Sequence, residues 1–258
     1  MGAGDFIKSY WDSQGKTYGS SHVASWGDHN IIRLEIDTIG ENIPEGSDVL
    51  DVGCANGYSA FNQLQRNPRS ITGVDYSETL IEAAKKERER HPDKEKLSFG
   101  IGDVREIEFP DGKFDVVYTT RVLINLPNWE DQVQGITECL RVTKKGGTVI
   151  FSEAFWEPLQ KLNALRIVAG LTPLVEHDFN RYLKSPKLED LLAAKKVSFE
   201  VNDFSSIYYL GTRLIRELVQ EKDQTEGFKN PFNHAFLEIE KDYTATDFGI
   251  QKAYIVRK

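Results

Sequence analysis

Three carboxylates stand where strand-like runs end, Asp51, Asp75 and Asp103, and the first opens a glycine-rich turn, Asp51-Val52-Gly53-Cys54-Ala55-Asn56-Gly57. Glycine at 53 and 57 frees the backbone for unusual φ/ψ and lets it approach a ligand closely. A dinucleotide fingerprint, G-x-G-x-x-G from Gly53, would need glycine at 55 and 58, which hold Ala55 and Tyr58. A pyrophosphate gains nothing from a carboxylate at the mouth of its turn. A ligand carrying an ammonium and a sulfonium does, so Asp51 points to a cationic ligand. Asp75 follows 24 positions after Asp51 (75 − 51). That spacing suits an acid meeting ribose hydroxyls, and a carboxylate can accept from both.

These acids need strands behind them. Val49, Leu50 and Val52 form a run suited to a strand buried on both faces, and helical spacing resumes from Tyr58 to Leu64. Further strands are expected at 70–75, 97–101, 114–119 and 148–152, with Glu153 at the end of the last. Ser77 is a good N-cap for a helix carrying Leu80, Ile81 and Ala84, and a second helix spans Trp129 to Val142. Ahead of the first strand, two helices joined by a polar segment from Gln14 to Ser25 are expected, the second bearing Ile31, Leu34, Ile36 and Ile39. After residue 154 the pattern changes. Residues 156–195 carry Leu159, Leu162, Leu165 and Val168 at helical spacing, then a polar-aromatic cluster from Glu176 to Tyr182. A strand at 197–204, helices at 212–221 and 233–243 and a strand at 249–257 follow.

The acid-x-Gly-x-small-x-Gly turn resembles the first motif of the class I S-adenosylmethionine-dependent methyltransferases, with Ala55 where glycine is more usual. The resemblance is firm over residues 47–154. It implies an α/β fold: a Rossmann-like doubly wound sheet, mostly parallel with a closing antiparallel C-terminal strand, an N-terminal helical lid and a helical insertion after the fifth strand. It implies S-adenosylmethionine as cofactor, held by Asp51, Gly53, Ala55 and Gly57, by Asp75 at the ribose with Tyr76 and Ser77 following it, and by Asp103 and Val104 at the adenine. Thr120 and Arg121 would lie beside the methionine moiety, and Tyr18 and Trp26 would contact the cofactor from the lid. Those two rings serve equally as anchors docking the helices on the core. Arg121 would meet the cofactor carboxylate, an anionic acceptor or an ion-pair partner on the rim. Small-molecule methyltransferases of sugar and surface-polysaccharide pathways offer a similar insertion, which places Asn163, Arg166, Asn180 and Tyr182 at the acceptor. Asp178-Phe179 departs from the aromatic-His pair seen there.

The expected activity is methyl transfer to an oxygen of a small polar acceptor, sugar-linked or phosphate-bearing. His177, the one histidine in the acceptor segment, is the first candidate for a general base and Glu153 the second; a phosphate or carboxylate oxygen would need neither. A non-catalytic cofactor-binding regulator or partner subunit would share the same site. A nicotinamide oxidoreductase is disfavoured by Asp51 and the failed fingerprint. No clustered acids suggest a metal-dependent catechol-type enzyme, and no metal is expected. The net charge of −8 disfavours nucleic acid as a partner. Cys54 and Cys139 form no C-x-x-C pair, and no apolar run approaches the ~20 residues that span a bilayer, so a cytoplasmic protein away from membranes is expected, its oligomeric state open. One domain over 1–258 divides into a lid (1–46), a cofactor core (47–154), an acceptor insertion (155–196) and the completion of the sheet (197–258).

Overall fold

A computed structural model describes residues 3–19, 21–24, 26–220, 230–243 and 246–258. The lid holds α1 (Ala3–Tyr18) and α2 (His29–Gly40), with a short 3-10 turn between them. The first helix therefore runs past Gln14, where a polar linker was expected, and only residues after Tyr18 join the two. The core alternates β1 (Asp48–Val52), α3 (Tyr58–Gln63), β2 (Ser70–Asp75), α4 (Glu78–Arg88), β3 (Leu97–Ile101), β4 (Phe114–Thr120), α5 (Trp129–Val142) and β5 (Thr143–Ala154). The insertion contains α6 (Trp156–Val168) and α7 (Ser185–Ala194), followed by β6 (Ser198–Asn202), α8 (Ser206–Leu210), α9 (Arg216–Val219), α10 (Pro231–Asp242) and β7 (Gln251–Arg257).

The strands form one seven-stranded sheet in the order β3-β2-β1-β4-β5-β7-β6. β7 runs antiparallel to both neighbours, while the pairs among β1 to β5 are parallel, as expected of a Rossmann-like sheet with a closing antiparallel strand. Apolar clusters cover both faces, one built on Val49, Ile71, Val116 and Ile150, the other on Leu50, Val52, Val117 and Val149. Alternate residues of the central strands face opposite layers, so all must be apolar. Helix starts follow their caps: Asp28, Ser77 and Asn128 each accept from a backbone N–H three residues on.

Several boundaries differ from expectation for identifiable reasons. β5 begins at Thr143, because Thr143 already pairs with Phe114; the Lys144-Lys145-Gly146-Gly147 turn, with Gly146 at φ +77°, bulges out before pairing resumes at Thr148, and Gly147 lies so close to the Asp115 carbonyl that a Cβ would sit 2.7 Å from it. Only half of the α6 leucine stripe is covered: Leu159 and Leu162 are buried, but Leu165 and Val168 are exposed. The helix expected at 212–221 starts at Ser206 and passes through a π-helical turn at Gly211–Ile215; residue 221 lies outside the described residues. Among the described residues no helix is long and apolar enough to cross a membrane.

Candidate active site

The loop after β1 is a run of left-handed backbone, with φ +72° at Gly53, +48° at Ala55 and +79° at Gly57. Glycine is obligatory at 53 for space as well: a Cβ there would lie 2.1 Å from the Val122 side chain, so this loop and the one after β4 interlock. Alanine at 55 adopts the strained conformation that glycine takes more readily. Its N–H donates to Asp75 (2.9 Å), while the Ser77 N–H donates to the other oxygen of the same carboxylate (2.9 Å). Asn56, not singled out from sequence, gives its side-chain N–H groups to the carbonyls of Gly19 and Ser21 (both 2.8 Å), tying this loop to the lid.

Asp51 is 1% exposed, and neither carboxylate oxygen has a hydrogen-bond partner. Burial pushes its pKa up to about 8; the nearby Tyr118 hydroxyl eases that, while Asp75 and Glu35 push further in the same direction. A buried acid without a partner is costly unless something supplies a donor. Glu35, on the buried face of α2, forms an ion pair with Arg121 and accepts from Ser152 Oγ (2.7 Å). Arg121 has φ +55° and lays its guanidinium 5.2 Å from the Trp26 ring centre. Of the alternatives read from sequence, the structure gives Arg121 a carboxylate partner within the protein, and Glu35 was missed. Its signal was a charge on the apolar stripe, between Ile31 and Ile39.

Beside this cluster lies a cavity of about 380 Å³, lined by Gly53, Ala55, Asp75, Tyr76, Gly102, Asp103, Val104, Arg105, Thr120, Arg121, Val122 and Asn125, with Leu80, Leu126 and Pro127. The lid closes it with Ile7, Lys8 and Trp11. The lid contribution thus comes from one turn of α1. Tyr18 is exposed and is not among the lining residues; Trp26 is half-buried, packs on the core and meets Arg121. Lid and insertion are zipped together by rings: Phe179 stands 4.9 Å from Tyr10 and 4.4 Å from His177. Asp12 of α1 also accepts from the Ser77 hydroxyl.

Asp75, pushed up to about 6 by burial against the pull of the Ser77 and Ala55 N–H groups, still has lone pairs facing the cavity wall. Asp103 is differently placed. Burial works to raise its pKa, but Arg105 grips both carboxylate oxygens and the net shift is downward. Asp75→Ala should therefore weaken S-adenosylhomocysteine binding by about tenfold or more, because hydrogen bonds to a charged acceptor contribute roughly 1.5–3 kcal/mol each. Asp103→Ala, losing an acceptor already shared with Arg105, should cost less. Calorimetry showing native affinity in Asp75→Ala would remove Asp75 from the site.

Comparison with known proteins identifies the family. A methyltransferase-domain family model matches residues 49–147. A ubiquinone biosynthesis O-methyltransferase of Dechloromonas aromatica is 32% identical over 196 residues, covering 71% of this chain and 81% of that protein. The chain belongs to the class I S-adenosylmethionine-dependent methyltransferases. A demethylmenaquinone methyltransferase of Beutenbergia cavernae is 31% identical over 147 residues, but the match spans only 56% of either chain. Among solved structures, a chain of the complex between the Haloferax volcanii Trm112 methyltransferase activator and a methyltransferase covers 96% of both chains with TM-score 0.63 at 15% identity. The geranyl diphosphate C-methyltransferase of Streptomyces coelicolor A3(2) covers 89% of this chain and 80% of its own, with TM-score 0.57 at 14% identity. At such identities these two speak to fold alone.

The cofactor of this methyltransferase is S-adenosylmethionine, and the residues present fit it. Asp51 is an orphaned buried carboxylate suited to an ammonium, and Asp75 is an acceptor at the second strand end, lining the cavity. Glu153, the second candidate base, is not available for that work. It is fully enclosed and accepts from Thr119 Oγ1 (2.7 Å) and from the N–H groups of Val122, Leu123 and Ile124 (3.1, 3.1 and 3.3 Å), so it holds the loop after β4.

The insertion residues of the methyltransferase are not brought together at the cavity. Asn163 donates to the Leu174 carbonyl and accepts from its N–H, both at 2.8 Å. Arg166 is 3% exposed and spends its guanidinium on the Thr172 and Arg213 carbonyls and on both Glu217 oxygens. The two share a helix face, as their spacing predicts, but the face clips the 171–174 turn to α6 instead of meeting a ligand. Asn180 is half-buried, with its N–H on the His177 carbonyl, and the Tyr182 N–H donates to Glu176. His177 is exposed at the seam between lid and insertion. Arg166→Ala should accordingly lower the melting temperature by several degrees, since truncating one partner of a buried pair is strongly destabilising. Normal stability with impaired turnover would restore Arg166 to the acceptor.

Proposed function

We propose that this methyltransferase transfers the cofactor methyl group to an oxygen of a small polar acceptor, sugar-linked or phosphate-bearing, in a reducing cytoplasmic setting. The supporting observation is Lys8: on the lid, lining the cavity mouth, and among the described residues without a carboxylate partner in a chain of net charge −8. With Arg166 committed elsewhere, Lys8 is the cation free to meet an anionic group on the acceptor. His177 stands at the seam between lid and insertion, against Tyr10, and is the imidazole there that could take a proton from a hydroxyl.

The sulfonium, when bound, supplies a methyl carbon whose leaving group departs as a neutral thioether. What remains for the protein is alignment and exclusion of water. α1 covers the cavity with Ile7 and Trp11, the interlocked loops fix the floor, and the ring cluster at Phe179 joins lid to insertion.

Turnover, followed as S-adenosylhomocysteine release, should be faster with hydroxylated acceptors bearing a phosphate or carboxylate than with their neutral counterparts. Lys8→Ala should raise KM for the anionic member about tenfold, the loss expected when roughly 1.5 kcal/mol of charge-assisted bonding goes, and leave the neutral member little changed. Equal effects on both would overturn the anionic acceptor. A protein that merely binds the cofactor would release no product with either.

A further inference from the structure

Within the insertion, residues 169–184 form neither helix nor strand apart from one bridge of Leu183 to Phe155. Connections longer than about 12–15 residues are uncommon in a compact domain and usually serve a function. This one is pinned at 172–174 by Asn163 and Arg166, at Leu183 by the Ala154 carbonyl, and between them at Arg181.

The grip on Arg181 comes from the loop after β4 and the helix that follows it. The Arg181 N–H donates to the Ile124 carbonyl at 2.6 Å, and the Arg181 carbonyl accepts at 2.7 Å from Nε2 of Gln132, near the start of α5. The same Nε2 donates to the Leu123 carbonyl at 3.1 Å, and Gln132 is 4% exposed. Carbonyl oxygens only accept, so two of them facing one end of the amide fix which end carries the nitrogen. The N–H groups of Leu123 and Ile124 are held meanwhile by Glu153. This short stretch of loop is thus bonded through both its N–H and its carbonyl groups, and Gln132 fastens the insertion to it.

The loop serves two neighbours. Val122, Asn125, Leu126 and Pro127 line the cavity, whereas Leu123 and Ile124 do not and carry the insertion instead. Residues 177–182 do not line the cavity either, but Phe179 reaches the lid at Tyr10 (4.9 Å) and Trp11 (6.4 Å), and Trp11 does line it. A ligand in the cavity therefore has two routes to the insertion, one through Gln132 and one through the rings of the lid.

We propose that Gln132 is a positioning residue of the methyl-transfer site: it makes residues 177–182 follow the loop after β4, so that cofactor held by that loop also sets the insertion against the lid. An apolar side chain of the same length would leave the Arg181 carbonyl unpaired and the segment turning on its single bond to Ile124. The proposal rests on the cofactor occupying this cavity and holds for any acceptor.

Hydrogen exchange read by mass spectrometry, with and without saturating S-adenosylhomocysteine, tests it. In the wild type the ligand should slow exchange in 121–127 and also in 177–182 by about fivefold or more, the low end of ordinary coupling between sites. Gln132→Met keeps the length of the side chain but donates nothing, and should lose the slowing at 177–182 while keeping it at 121–127, which also shows that the variant folds. Tyr10→Ala removes the nearest ring contact between lid and Phe179, and should keep the slowing at both segments. Slowing at 121–127 alone in the wild type would overturn the proposal. So would slowing at 177–182 that survives in Gln132→Met, which would leave Gln132 as packing, or that vanishes in Tyr10→Ala, which would make the segment a follower of the lid. Slowing at neither segment in the wild type would overturn the placement of the cofactor and the proposal with it. The wild-type and Tyr10→Ala results decide the matter even if Gln132→Met does not fold.

Discussion

S-Adenosylhomocysteine affinity should rise as pH is raised from about 6 to 8, with a proton released on binding at pH 7. The cause is Asp51. Burial holds its carboxyl up at about 8, so in the free protein it is mostly neutral at pH 7, and an ammonium ligand must expel that proton to gain a carboxylate. Below about 8 the penalty approaches tenfold in affinity per pH unit, because one unit corresponds to about 1.4 kcal/mol. The stability of the free protein runs the other way. A carboxyl whose folded pKa is raised contributes stability that is complete below the unfolded pKa and is lost as pH climbs through the folded value. Ligand-free Asp51→Asn should therefore be the more stable protein at pH 8 and above, and yet bind S-adenosylhomocysteine about ten- to a hundredfold more weakly, from roughly 1.5–3 kcal/mol of charged hydrogen bonding. Calorimetry in two buffers of different ionisation enthalpy reads the proton directly. A flat pH profile in the wild type, or the same slope in Asp51→Asn, would exclude Asp51 as the ammonium partner.

The second large effect is expected at residues that do not line the cavity. Asp28 caps α2 from a position with no exposure at all, accepting from the Tyr208 hydroxyl (2.9 Å) and from Arg213 (2.6 Å) in the π-helical turn. Arg213→Met leaves that carboxylate buried without its cation, which typically costs about 3–5 kcal/mol. In a chain of this size each kcal/mol moves the melting temperature by roughly 2–4 °C, so a fall of about 6–20 °C is expected. Adding Asp28→Asn should recover most of it, since an uncharged pair carries no uncompensated charge. A double variant no more stable than Arg213→Met would mean that packing at the π turn, where Gly211 lies against the Phe236 ring, was what the arginine supported.

Local patterning carried the core well because local rules decide it. β1 to β4 and α5 follow from β-branched runs, acids at strand ends and capping residues, and the cofactor loops follow from glycine spacing. Partner choice across the fold is not local. Nothing in the neighbourhood of Asp103 announces that its neighbour Arg105 will be held against it by Asp131 of α5, or that Glu153 will be folded into the loop after β4. Arg166 and Asn163 had the right chemistry and the right helix face, yet the turn at 171–174 reaches them first. The lid was legible as aromatic and as covering something, but which rings face the cavity depends on the rotation of α1, and that is fixed by contacts such as Asp12 with Ser77, 65 positions apart.

The place of β7 has a bearing on how this protein is made. It slots between β5 and β6, the last strand in sequence filling the gap beside one of the most buried. During synthesis β5 leaves the ribosome nearly 100 residues ahead of its partner, an interval of roughly 5–20 s at 5–20 residues per second. Throughout it the open edge from Thr148 to Ala154, the stretch that Arg257 to Gln251 will cover, offers unpaired backbone and apolar side chains to any other chain nearby. The nascent cofactor core is thus complete in sequence well before its sheet can close, and crowding on a polysome would bring such adhesive edges together.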